Sequence, residues 1–131
     1  MRRALVVEDE VMIAMYVEDL LLELGYEVAG IATGFDQALP LAKEGDFDFA
    51  VLDINLDGRL SFPIADVLRE RGIPFLFASG YGSKGMIDDY RNAVRIQKPF
   101  LGQDLAQAIA KIDHWHLPVI VGRVFPQEHQ Q

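Results

Sequence analysis

The sequence predicts a doubly wound α/β sandwich, a five-stranded parallel sheet with helices on both faces. Three observations carry that expectation. β-type apolar runs alternate with helical patterns along the chain. Residues 4–7, 49–52 and 74–78 are continuously apolar rather than alternating, the pattern of strands buried on both faces. Polar residues follow these runs directly, and a parallel sheet gathers such residues at one edge.

The elements follow in order. Residues 4–7 are the first strand. Over residues 10–24, Ile13, Val17, Leu20, Leu21 and Leu24 share one helical face, and Gly25 is a natural stop. Residues 26–32 form the second strand. Residues 35–43 are a shorter helix in which Pro40 should delay the start or cause a kink. Residues 49–52 are the third strand. Residues 61–71 form a helix with Ser61 as a capping side chain, Pro63 in the first turn and Gly72 as the stop. Residues 74–78 are the fourth strand. The crossover over residues 80–92 should be helical. It holds Gly80, Gly82 and Gly85 and few apolar anchors, so the fourth helix is expected to be short or frayed. Residues 94–97 are a weaker strand, interrupted by Arg95. Residues 102–113 are the last helix, with Leu105, Ala108, Ile109 and Ile112 on one face.

Residues 1–113 therefore read as one domain and residues 114–131 as a C-terminal extension. The extension is apolar over residues 117–125, enough to pack, to add a strand or to pair with a second chain; monomer and weak homodimer both fit. The chain has 131 residues, half of them hydrophobic, and a formal charge of -8. That balance repels phosphate backbones and argues against nucleic-acid binding. Cysteine is absent, which excludes disulfides, thiolate nucleophiles and cysteine zinc sites. The apolar run after Met1-Arg2-Arg3 is too short for a signal or membrane segment, so a cytoplasmic protein is expected.

At the polar edge stand Glu8, Asp9 and Glu10 after the first strand, Asp53 after the third, Ser79 after the fourth and Lys98 after the fifth. Three crowded carboxylates repel one another, and a hard divalent cation relieves that repulsion. Oxygen ligands without His or Cys suit Mg²⁺. Metal, ammonium and hydroxyl together can neutralise phosphoryl oxygens, and a carboxylate such as Asp53 can form an acyl phosphate.

In these residues the chain resembles the CheY-like receiver domains of two-component response regulators. The resemblance rests on Glu8-Asp9, Asp53, Ser79 and Lys98-Pro99-Phe100 in that order, and covers roughly residues 3–113. The Phe77-Ala78-Ser79-Gly80 run is similar to the F-A-T-G run of a stand-alone subgroup with a short fourth helix. The resemblance implies that Asp53 accepts phosphoryl from the phosphohistidine of a histidine kinase or histidine phosphotransfer protein. It implies Mg²⁺ on Asp9, Asp53 and the Asn55 backbone carbonyl, with Glu8 helping through water. Ser79 and Lys98 would bind the phosphoryl oxygens, and the Lys98-Pro99 bond would be cis. Such a protein changes its partner binding and is not an enzyme, although it assists its own phosphoryl transfer and dephosphorylation. Receivers often carry an aromatic switch residue where this chain has Arg95, so the output surface must differ.

Glu8, Asp9 and Glu10 could cap the first helix, and Glu10 is assigned to the helix alone. Asp57 reads as loop surface. His114 and His116 flank Trp115 without further ligands and read as packing. Met12, Met15 and Leu22 form a second stripe on the first helix, for core packing or for docking a kinase or phosphotransfer protein. A D-x-D aspartyl phosphatase lacks its acid here, because Asn55 stands at that position. A flavin-binding module would need a phosphate loop where Glu8-Asp9-Glu10 stand. A receiver used as an unphosphorylated interaction scaffold is the remaining alternative.

Overall fold

The computed structural model describes residues 2–80 and 88–114. The expectations for residues 81–87 and 115–131, those on Gly82, Gly85, Trp115 and His116 included, lie outside the described residues. So does the side chain of His114.

Five strands form the main sheet: β1 Arg3–Val7, β2 Glu27–Ala32, β3 Phe49–Asp53, β6 Phe75–Ser79 and β7 Arg95–Gln97. They lie in the order β2-β1-β3-β6-β7, and every pairing is parallel. The chain leaves β1 toward one side and returns through β3 on the other. The crevice between the loops after β1 and β3 is therefore the topological switch point, where ligands sit in open parallel sheets. β1, β3 and β6 are the strands with continuous apolar runs, and their central residues are fully buried. β7 is an edge strand, and Arg95 on it is exposed.

Helices cover both faces. α1 (Val11–Glu23) and α4 (Gly102–His114) pack on one face, where Val17, Leu21, Leu105, Ile109 and Ile112 meet Val6, Phe49, Val51 and Leu76. α2 (Phe35–Glu44) and α3 (Phe62–Arg71) cover the other, where Ala38, Ala42, Ile64 and Leu68 meet Leu5, Val7, Leu52 and Phe77. Side chains of one β-strand alternate between the two faces, so a buried sheet needs both layers. An aromatic cluster fills the second core: Phe62 stacks on Tyr90 at 5.5 Å, and Phe77 meets Tyr90 edge-on at 5.6 Å. The Tyr90 hydroxyl donates to Asp66 Oδ1 at 2.5 Å, so the buried ring keeps its polar end satisfied.

Several expectations are corrected in detail. α2 runs continuously from Phe35 through Pro40 to Glu44, without the delayed start. Pro40 and Asp36 are exposed, so the carbonyl that Pro40 leaves without a helical donor faces water. Ser61 precedes α3 but makes no side-chain cap; its carbonyl accepts from Ile64 and Ala65, and its buried hydroxyl finds no partner among the described residues. Its backbone sits at φ -86°, ψ 5°, away from the extended conformation that aims a capping oxygen at the first turn. A two-stranded hairpin, β4 Asn55–Leu56 and β5 Arg59–Leu60, was not expected. Its turn residues Asp57 and Gly58 both have positive φ, 53° and 91°, the geometry that an Asp-Gly pair serves. In the crossover, the described residues contribute one 3₁₀ turn, Asp88–Tyr90, in agreement with a short fourth helix. No helix among the described residues is long and apolar enough to cross a membrane.

Candidate functional site

The carboxyl ends of β1, β3 and β6 and the turn after β7 bring the singled-out residues together. Glu8 and Asp9 follow β1, Asp53 ends β3, Ser79 ends β6 and Lys98 follows β7. Carboxylate oxygens of Glu8, Asp9 and Asp53 all lie within 4.8 Å of one another. Lys98 reaches between them: its Nζ is 2.7 Å from Glu8 Oε1 and 3.3 Å from Asp53 Oδ2. Glu8 is 3% exposed and Asp53 7%, so these charges are largely removed from water.

Burial decides the electrostatics. It is the largest influence on Asp53 and, with the nearby charge of Glu8, outweighs the attraction of Lys98; the Asp53 carboxyl is pushed up to about 7. For Lys98 burial acts in the lowering direction, but the hydrogen bond to Glu8 and the charges of Asp53 and Glu8 prevail, and its pKa is raised. The ammonium stays charged while the carboxylates compete for too little positive charge.

The backbone fixes each group. Lys98 N–H donates to Ser79 O at 2.8 Å, tying the turn after β7 to the end of β6. The Lys98-Pro99 bond is cis, as expected. Asn55 N–H faces Asp53 Oδ1 at 3.4 Å, and Asn55 Oδ1 accepts from Gly58 N–H at 2.7 Å, so the hairpin closes against Asp53. Arg59 anchors the hairpin to α2, 2.9 Å from Asp36 Oδ1 and with its guanidinium 3.9 Å over the Phe35 ring. Ser79 is buried, 2% exposed, at the rim of the sheet.

Above Asp53 opens a cleft of about 320 Å³. Asp9, Asp53, Asn55 and Lys98 line it, and so do Glu10, Asp57, Gly58 and Gly80. Glu10, which the sequence assigns to the helix, and Asp57, which it assigns to loop surface, thus face the site. Glu10 is the N-cap position of α1 but makes no side-chain cap bond, so its carboxylate is not occupied by the helix. The Asp57-Gly58 pair in an otherwise apolar-flanked run was the signal that could have placed Asp57 on a tight turn beside Asp53.

A doubly wound parallel sheet that gathers three carboxylates, a hydroxyl and a lysine at its strand ends defines an α/β module of the two-component signalling type. The chain belongs to the response regulator receiver domain family, whose description matches residues 4–110. It is similar to SdrG from Sphingomonas melonis Fr1, solved in solution, at 37% identity and a TM-score of 0.77 over 86% of this chain and 96% of that one. TrrA from Thermotoga maritima, solved in complex with Mg²⁺ and a beryllium fluoride, is 25% identical with a TM-score of 0.75, over 86% of this chain and 99% of that one. Among curated relatives, the transcriptional regulatory protein PdtaR from Mycobacterium tuberculosis is 30% identical over 112 residues, 82% of this chain and 55% of that protein. The chain thus spans about half the length of that regulator.

Proposed function

We propose that the protein is a phosphoacceptor receiver that takes a phosphoryl group on Asp53 from a phosphohistidine of a histidine kinase or histidine phosphotransfer protein. The carrying observation is the convergence of Glu8, Asp9 and Asp53 within 4.8 Å around Lys98 at the carboxyl ends of the strands. An ionised Asp53 oxygen attacks phosphorus, the P–N bond of the phosphohistidine breaks, and its electron pair leaves with the donor's ring, whose other nitrogen carries the proton, so that neutral imidazole remains on the donor. The product is an acyl phosphate on Asp53. Ser79 and Lys98 bind the transferred oxygens, replacing the hold that Lys98 now has on Asp53.

The residues fit a hard divalent cation. Their donors are all oxygens, and the Asp53 carboxyl, raised first by burial and then by the charge of Glu8, would be stabilised in its ionised form by added positive charge. Asp9, Asp53 and the Asn55 backbone carbonyl would hold Mg²⁺, with Glu8 assisting; the ion when bound supplies charge neutralisation for the phosphoryl oxygens. The protein then alters its binding to a downstream partner instead of turning over a substrate, and the work takes place in the cytoplasm.

Intact mass after incubation with acetyl phosphate and Mg²⁺ tests this. The wild type is expected to gain one phosphoryl group and Asp53→Ala none. A wild type that gains nothing while binding Mg²⁺ normally would point to an unphosphorylated interaction scaffold.

A further inference from the structure

Resting on the phosphoacceptor reading, we infer that Tyr16 is a positioning residue for Lys98, acting from α1 through the backbone of Phe100. The Tyr16 hydroxyl donates to the Phe100 carbonyl at 2.7 Å, and the two rings lie 5.9 Å apart at a tilt of 46°. Lys98 itself is tied at its N–H to Ser79 O at 2.8 Å. The three residues of the turn are thus held at one end by the sheet and at the other by a side chain of α1. Lys98 projects from that turn to Glu8 and Asp53.

The hydroxyl does more here than packing requires. Tyr16 is 40% exposed, so a phenylalanine would keep the ring contact with Phe100 at little cost to the core. The buried Phe100 ring and the bond from Leu101 N–H to Asp104 Oδ2 at 2.8 Å fix the segment that leads into α4. Tyr16 alone, among the hydrogen bonds described, reaches the Phe100 carbonyl from another helix. Without it that carbonyl turns to water and the turn gains freedom at the position from which Lys98 reaches the site. The carboxylates on the β1 and β3 ends do not depend on this bond.

The consequence is a split between two affinities. In the full chain, Tyr16→Phe should bind Mg²⁺ alone as the wild type does, measured by calorimetric titration. At saturating Mg²⁺ its affinity for beryllofluoride, followed by fluorine NMR, should fall by about 3- to 10-fold, the loss of one modest hydrogen bond. Met12→Ala, on the same exposed face without a contact to Phe100, should change neither. An equal fall in both affinities, or no fall in either, overturns the inference. So does a Met12→Ala protein that shows the same loss. A wild type that binds no beryllofluoride is a different outcome, since it overturns the phosphoacceptor reading itself.

Discussion

The two ends of the sheet carry charge in opposite ways. At the amino ends of the strands, Arg2 pairs with Asp113 at 2.5 Å, and Arg3 with Glu27 at 3.5 Å and Asp46 at 3.3 Å. These side chains are a third or more exposed, and water shares the work of neutralising them. At the carboxyl ends, Glu8 and Asp53 are buried beside Asp9, with Lys98 as the cation between them. The amino end is arranged for folding. The carboxyl end keeps negative charge that folding alone would reject, a cost that a functional site carries and a structural one avoids.

That contrast is tested most strongly at Asp53. In metal-free buffer at neutral pH, Asp53→Asn should be more stable than the wild type by roughly 1–3 kcal/mol, measured by urea denaturation. The sign follows from the raised pKa. The unfolded carboxyl ionises near the ordinary aspartate value of 3.8, while the folded one stays largely protonated up to about 7. Wild-type stability therefore falls as pH rises through that window, and the advantage of Asp53→Asn should grow across it. An advantage that is the same at both ends of the window would mean that Asp53 is not held against its charge.

Mg²⁺ should close part of the gap from the other side. At about tenfold excess over its dissociation constant it should stabilise the wild type by roughly 1.4 kcal/mol, and Asp9→Asn should lose most of that gain in a thermal melt. A shift that survives in Asp9→Asn would place the ion elsewhere. The smallest effect is expected at the amino end. Arg2→Gln should cost only about 0–1 kcal/mol, less in high salt, because an exposed pair is screened. A larger, salt-independent loss would erase the distinction between the two ends.

Much of this was legible in the sequence because burial on both faces leaves a plain mark. Residues 49–52 and 74–78 became the central strands β3 and β6, and Gly72 closes α3 with φ 72° in the left-handed region. Asp53, Ser79 and Lys98 could be placed because a parallel sheet forces strand ends to one side. Their distances and the rise in the Asp53 pKa could not, since those depend on how deeply the strand ends sink below the loops. The hairpin escaped notice because strands of two residues leave no periodicity. Ser61 looked like a cap from its residue type, but the pairing of its N–H with Ile54 O at 2.8 Å sets its backbone otherwise.

The hairpin also makes the molecule easy to instrument. Leu60 is 46% exposed on its outer strand, Arg59 holds that strand to α2, and Asp57 at its tip lines the cleft. The chain contains no cysteine. A single Leu60→Cys would therefore accept one thiol-reactive dye at one defined place, on an anchored arm whose far end senses what enters the cleft. Occupancy of the site could then be read as a change in fluorescence, with the native groups around Asp53 left in place.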